Sequence, residues 1–95
     1  MEISLKLLPV SPVSRRVPVD ARYAFRGTAP AELRLTLAGR EVMRRKPGEP
    51  NAAGWSSGVR KLDLNRLSGR AEVKFELLDE RGGVIADAVQ VLEIV

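Results

Sequence analysis

Between Ser68 and Val84 the chain reads SGRAEVKFELLDERGGV. Ala71, Val73, Phe75 and Leu77 recur at every second position, with Glu72, Lys74 and Glu76 between them. A period of two sends successive side chains to opposite faces of an extended backbone, which predicts a half-buried strand. The pattern stops at Asp79-Glu80-Arg81-Gly82-Gly83, where Asp79 suits an Asx-type turn and the two glycines suit positive φ. An apolar run then resumes, so the stretch predicts a hairpin.

The same period recurs along the chain. Ile3, Leu5 and Leu7 alternate, as do Val19, Ala21, Tyr23 and Phe25, and then Leu33, Leu35 and Leu37. Ala38-Gly39 predicts a tight turn, with Val42 and Met43 on a short return strand. Leu62 and Leu64 predict another strand. Pro9, Pro12 and Pro18 deny residues 8 to 18 a full ladder of hydrogen bonds, which predicts an edge or crossing segment. RRKPGEPNAAGWSSG, residues 44 to 58, has two prolines, three glycines and little apolar content, and reads as a long loop. LDLNRLSGR allows one helical turn at most, because Gly69 ends it. About seven short strands follow, separated by turn signals, and no segment has a helical period. Strands at this spacing predict an all-β sandwich or barrel.

The last segment, VIADAVQVLEIV, fits the pattern least well. One face carries Ile85, Asp87, Val89, Val91, Glu93 and Val95; the other carries Ala86, Ala88, Gln90, Leu92 and Ile94. Neither face is cleanly polar, as a half-solvated antiparallel strand requires. One resolution is a bulge near Val91-Leu92 that switches faces within the monomer. The other turns Val89 and Val91 into the core and leaves Leu92, Ile94 and Ala88 to meet another chain, by strand addition or packing.

Several features resemble the immunoglobulin-like and fibronectin-type-III-like sandwich domains of bacteria and their viruses. They are the hairpin from Gly39 to Val42, the corner at Leu67 and Gly69, the alternating strand from Val73 to Leu77, and Asp79 with Gly82 or Gly83. The resemblance covers roughly residues 19 to 92 and implies an immunoglobulin-like antiparallel β-sandwich. It departs from the family at Ala71, near the place of a corner tyrosine, and it excludes the inter-sheet disulfide of antibody domains. It implies a binding habit and no reaction.

Composition narrows the chemistry further. Ninety-five residues make one domain, residues 1 to 95. There is neither cysteine nor histidine. That removes thiolate and imidazole nucleophiles, bases and metal ligands together. The carboxylates Glu76, Asp79, Glu80 and Asp87 cluster around one turn, where solvent keeps them from the divergent pKa values of an acid–base pair. No calcium-loop spacing and no phosphate-binding glycine motif is present. No cofactor, metal site or catalytic residue is expected. MEISLKLLPV lacks the long apolar stretch of a secretory signal, and no run reaches the length of a spanning helix. A cytoplasmic or virion-associated location is favoured, without membrane contact.

Sixteen basic residues against twelve acidic give a net charge of +4. The basic clusters are Arg15-Arg16, Arg44-Arg45-Lys46 and Arg60-Lys61. The last two flank the long loop, so Arg44, Arg45, Lys46, Arg60 and Lys61 are candidates for a converged anion-binding patch; ordinary solvation of charged surface is the competing reading. Trp55, the only tryptophan, is the expected anchor of the loop, either lidding the core or serving as a binding hot spot. The favoured function is a non-enzymatic protein–protein interaction or assembly module, either homo-oligomeric or bound to a protein partner. A subunit of a virion decoration or tail apparatus is one concrete form. The rival is a basic β domain that binds nucleic acid or another polyanion.

Overall fold

Val19, Ala21, Tyr23 and Phe25 are all buried, and Asp20, Arg22, Ala24 and Arg26 between them face outward. This strand, β2 (Val19–Arg26), sets the pattern for the molecule. A computed structural model describes residues 1–95 and contains seven strands and no helix. The others are β1 (Glu2–Leu8), β3 (Glu32–Leu37), β4 (Arg40–Arg45), β5 (Ser56–Leu62), β6 (Gly69–Leu78) and β7 (Val84–Ile94). They form two antiparallel sheets, ordered β1-β2-β5 and β4-β3-β6-β7. The two sheets close over one apolar core of 17 buried residues, so the fold is an all-β sandwich.

The expected turns form by the expected chemistry. Ala38 and Gly39, both at positive φ, join β3 to β4. The Asp79 carboxylate accepts hydrogen bonds from the Arg81 N–H at 2.9 Å and the Gly83 N–H at 2.8 Å. Of the two glycines there, only Gly82 has positive φ. A side chain at Gly83 is excluded for another reason: its Cβ would lie 2.9 Å from the Asp79 carboxylate.

Two boundaries differ from expectation. The long loop is shorter than its composition implies, because β4 continues through Arg45 and β5 begins at Ser56. Gly58 lies inside β5, and the sequence reads it as loop because glycine weakens a strand. Tyr23 explains its presence. A Cβ on Gly58 would overlap the Tyr23 hydroxyl and come within 2.6 Å of ring carbon Cζ. The Tyr23 ring is itself held against Phe75, at 4.8 Å between centroids. Gly58→Ala is therefore expected to cost about 1–3 kcal/mol, the range for overpacking a filled core. Urea denaturation measures it, and an unchanged midpoint would show that the ring yields freely.

The register also locates the bulge. It lies in β7 at Ile85, across from Leu77 and Leu78 of β6 and away from Val91-Leu92, and β7 alternates without interruption from Ala86 to Ile94. Leu77 and Leu78 are both buried, although they lie on opposite faces of β6 and only Leu77 belongs to the central core.

The antiparallel pairings define two ends. Met1, the 27–31 turn, the 46–55 loop and the 79–83 turn lie at one. Leu8, the Ala38-Gly39 turn, the 63–68 loop and Ile94 lie at the other. The crossing segment passes this second end and docks on β7: the Val13 N–H donates to the Glu93 C=O at 2.8 Å, and the Val95 N–H donates to the Val13 C=O at 2.9 Å.

Candidate functional site

β7 is an edge strand of the larger sheet. Its main-chain groups at odd positions point away from β6. Glu93 shows this directly, because its N–H donates to Ser11 Oγ at 3.1 Å and its C=O accepts from Val13. The two-residue period extends the same orientation to Val91, Val89 and Asp87. No backbone hydrogen bond occupies that edge between Asp87 and Val91. Nearby, the Gln90 side-chain amide reaches across the seam and donates to the Leu5 C=O of β1 at 3.2 Å.

The side chains of β7 reverse the expected facing. Leu92 is 0% exposed and Ile94 5%, and Ala88 is partly buried against the core. The expectation that Leu92, Ile94 and Ala88 meet another chain is therefore corrected: they point inward. The outward row is Ile85, Asp87, Val89, Val91 and Glu93. The physical reason lies in the charges. This row carries two carboxylates, and burying an unpaired carboxylate costs far more than exposing valine. The inner row uses small residues, Ala86 and Ala88, where β7 runs beside β1 at the narrow margin of the sandwich.

An exposed apolar strip results. Val89 and Val91 are each more than 40% exposed, and Ile85 and Val84 continue the strip toward the 79–83 turn. Leu8 and Val10 project beside Val91 across a shallow groove of about 320 Å³ that also includes Leu7 and Gln90.

The rest of that sheet's outer face is charged and internally paired. Arg34 Nε donates to Glu76 Oε1 at 2.9 Å, and Glu76 is nearly buried. Arg44 lies 2.8 Å from Glu41 and 3.5 Å from Glu32. The hydrogen bond to Glu76 raises the Arg34 pKa above its ordinary value, and the bond to Glu41 does the same for Arg44. Lys74 approaches Glu72 at 3.7 Å. The pairs at Arg44 and Lys74 are exposed and screened by solvent, so they mainly neutralise the face. The carboxylates around the turn are also dispersed: Asp79 binds main-chain amides, Glu76 binds Arg34, and no group of three or more is placed to hold a metal ion.

The two basic clusters that flank the long loop do not converge. β4 runs toward the end that holds the 46–55 loop, so Arg44, Arg45 and Lys46 lie there. β5 runs away from it and carries Arg60 and Lys61 to the opposite end. Across the strands, Lys61 pairs with outward-facing Asp20, whereas Arg60 pairs with buried Ala21 and so sits on the inner side of the edge.

Trp55 anchors its loop without covering the core. It is half-buried on the outer side of the smaller sheet, and the Arg26 guanidinium lies over its ring at 4.9 Å. Arg26 in turn pairs with Glu2. Asn51 completes the anchor, since its side-chain oxygen accepts from the N–H groups of Ala53 and Trp55 at 2.9 and 3.0 Å. The expected lid is thus corrected, because a position directly before inward-facing Ser56 must point outward.

No helix is long and apolar enough to cross a membrane. Compared with known proteins, the chain matches no family model, no curated protein and no solved structure.

Proposed function

We propose that the chain is a non-enzymatic interaction module of a larger protein assembly, and that it engages its partner along the free edge of β7. The apolar outer row of that edge carries the reading. Soluble proteins protect open edges with charge, proline or cover. On β7 the Ser11–Val13 segment covers only the last residues, and Val89 and Val91 stand beside main-chain groups with no partner in the protein. An extended partner segment added there gains hydrogen bonds from the backbone and apolar contacts from alternate side chains.

The strand order supports an immunoglobulin-like ancestry of the fibronectin-type-III kind. In the constant immunoglobulin arrangement the fourth strand joins the first sheet; in this chain β4 stays beside β3. Domains of that kind commonly serve as building blocks. A virion decoration or tail accessory subunit is the form the resemblance favours.

The test replaces Val89 and Val91 with lysine together. Both side chains are exposed, so the variant is expected to keep the fold and a melting temperature within a few degrees of the parent. Bound to a matrix, the parent is expected to retain a partner from its native source, or further copies of itself, which the variant loses. Identical retention by both, read by mass spectrometry and by sedimentation, would overturn the proposal.

A further inference from the structure

Five of the basic residues that make no salt bridge lie around one loop at one end of the sandwich, and they come from four separate parts of the sequence. Arg15, Arg16 and Lys61 line a cleft of about 310 Å³ together with Asp63 and Asn65. Arg40 and Arg66 line a larger cleft of about 690 Å³ that includes the same Asp63 and Asn65. The five cations therefore ring a single loop, residues 63–68. All five are exposed, and none has a carboxylate within 4.0 Å. The four paired cations, Arg26, Arg34, Arg44 and Lys74, all belong elsewhere.

Two acids lie near the ring. The Asp63 carboxylate is occupied by Asn65, which donates through its N–H at 3.0 Å and its side-chain amide at 3.1 Å. Asp20 lies across from Lys61. Five cations against two carboxylates leave a surplus of three, out of a net charge of +4 for the whole chain. The other eleven basic and ten acidic side chains nearly cancel. The loop is also fixed in place, because Leu64 is 1% exposed in the core and its C=O accepts from the Leu67 N–H at 2.9 Å.

We infer that this end of the molecule binds the phosphate backbone of a duplex nucleic acid, without reading its sequence. Three arguments select that ligand. Four of the five cations are arginine, whose planar fork pairs with phosphate through two hydrogen bonds. No aromatic side chain lies at this end, so base stacking, on which single-strand binding depends, has no platform. Charge density decides between a duplex and an acidic peptide. The eleven residues of β7, at about 3.3 Å each, span about 36 Å, close to the longest extent of 37 Å, so the end face measures at most 28 by 17 Å. A duplex carries one charge per about 1.7 Å of axis, or on the order of 16 across that width. An extended acidic peptide turns one side chain toward the surface per ~7 Å, or about four. The surface does not depend on the β7 edge, and either can fail without the other.

The experiment is titration of a fluorescent mixed-sequence DNA duplex at several salt concentrations. Engaging about four phosphates gives a slope of log K against log salt near −3.6, so affinity falls roughly 100-fold between 50 and 200 mM salt. Two triple variants remove the same charge. Arg15→Gln with Arg16→Gln and Lys61→Gln is expected to flatten the slope to about −1 and to lose most of the affinity at low salt. Arg44→Gln with Arg45→Gln and Lys46→Gln is expected to leave both nearly unchanged. Circular dichroism confirms that each variant is folded. Equal losses in the two variants would show a response to net charge alone and overturn the assignment. So would absence of binding at 50 mM salt, or tighter binding of a polyglutamate competitor than of the duplex.

Discussion

Phe75→Ala is expected to remove about 3–5 kcal/mol of stability, the range for deleting a buried phenylalanine. Phe75 is fully buried near the middle of β6, with Leu35 across from it on β3 and Ala88 on β7. Its ring packs on Tyr23 of the opposite sheet. It thus links both sheets at the centre of the core. The vacated space has little means of closing, because hydrogen-bonded strands fix the backbone on both sides and Ala88 cannot extend into it. Domains of this size are stable by about 5–15 kcal/mol, so the loss is roughly a fifth of the total or more. In thermal terms it corresponds to a drop of roughly 12–40 °C. Chemical denaturation with an unchanged m-value measures it directly. A loss below about 1 kcal/mol would mean that the cavity collapses or that the Tyr23–Phe75 contact carries little weight.

Leu92→Lys with Ile94→Lys is expected to abolish folding altogether. Leu92 lies opposite Ala71 and Ile94 opposite Gly69, both at the closed end of the core. Each lysine loses the apolar contacts of the parent residue and places an ammonium group where no carboxylate waits. An ammonium at such a position must lose its proton or drag water inward, and either costs several kcal/mol. Two such costs exceed the stability of a small domain. Collapse of the far-UV β signal, with rapid proteolysis, is the expected result. A folded, soluble monomer would show that these residues face outward after all. The contrast with lysines at Val89 and Val91, on the opposite face of the same strand, makes the facing of β7 a sharp experimental question.

That strand also shows where sequence pattern succeeds and where it needs a second rule. Alternation located β1, β2, β3 and β6, and in the last three it named core side chains, because most of their outward positions are polar or charged; it missed most of β5, whose strand was expected at Leu62 and Leu64 but runs from Ser56 to Leu62 and leaves Leu64 in the following loop. In β7 both rows are apolar enough to pass. The count of valines favours the wrong row. Asp87 and Glu93 decide it, since two carboxylates outweigh three exposed aliphatics. The clue was therefore in the chain, in the position of its charges. The basic ring was less accessible. Arg15-Arg16, Arg40, Lys61 and Arg66 are scattered through fifty residues, and only the antiparallel register brings their loops to one end. The visible run Arg44-Arg45-Lys46 drew notice because it is contiguous, yet Arg44 is neutralised by Glu41 and Glu32. The position of Trp55 was equally hidden, because its neighbour Arg26 lies 29 residues earlier in the chain.

The docking of Val13 on the last strand has a mechanical consequence. Glu2 and Ile94 lie at opposite ends of the long axis, so tension applied between them runs along the strands. β1 and β7 are then drawn past their neighbours lengthwise. The two bonds that Val13 makes, with Glu93 and Val95, run sideways to β7 and so lie across that pull. They are strained together with the ladder between β6 and β7 and cannot open singly from one end. A clasp in this position shares load among many bonds, so the resistance to lengthwise pulling is spread over the strand rather than held by one contact.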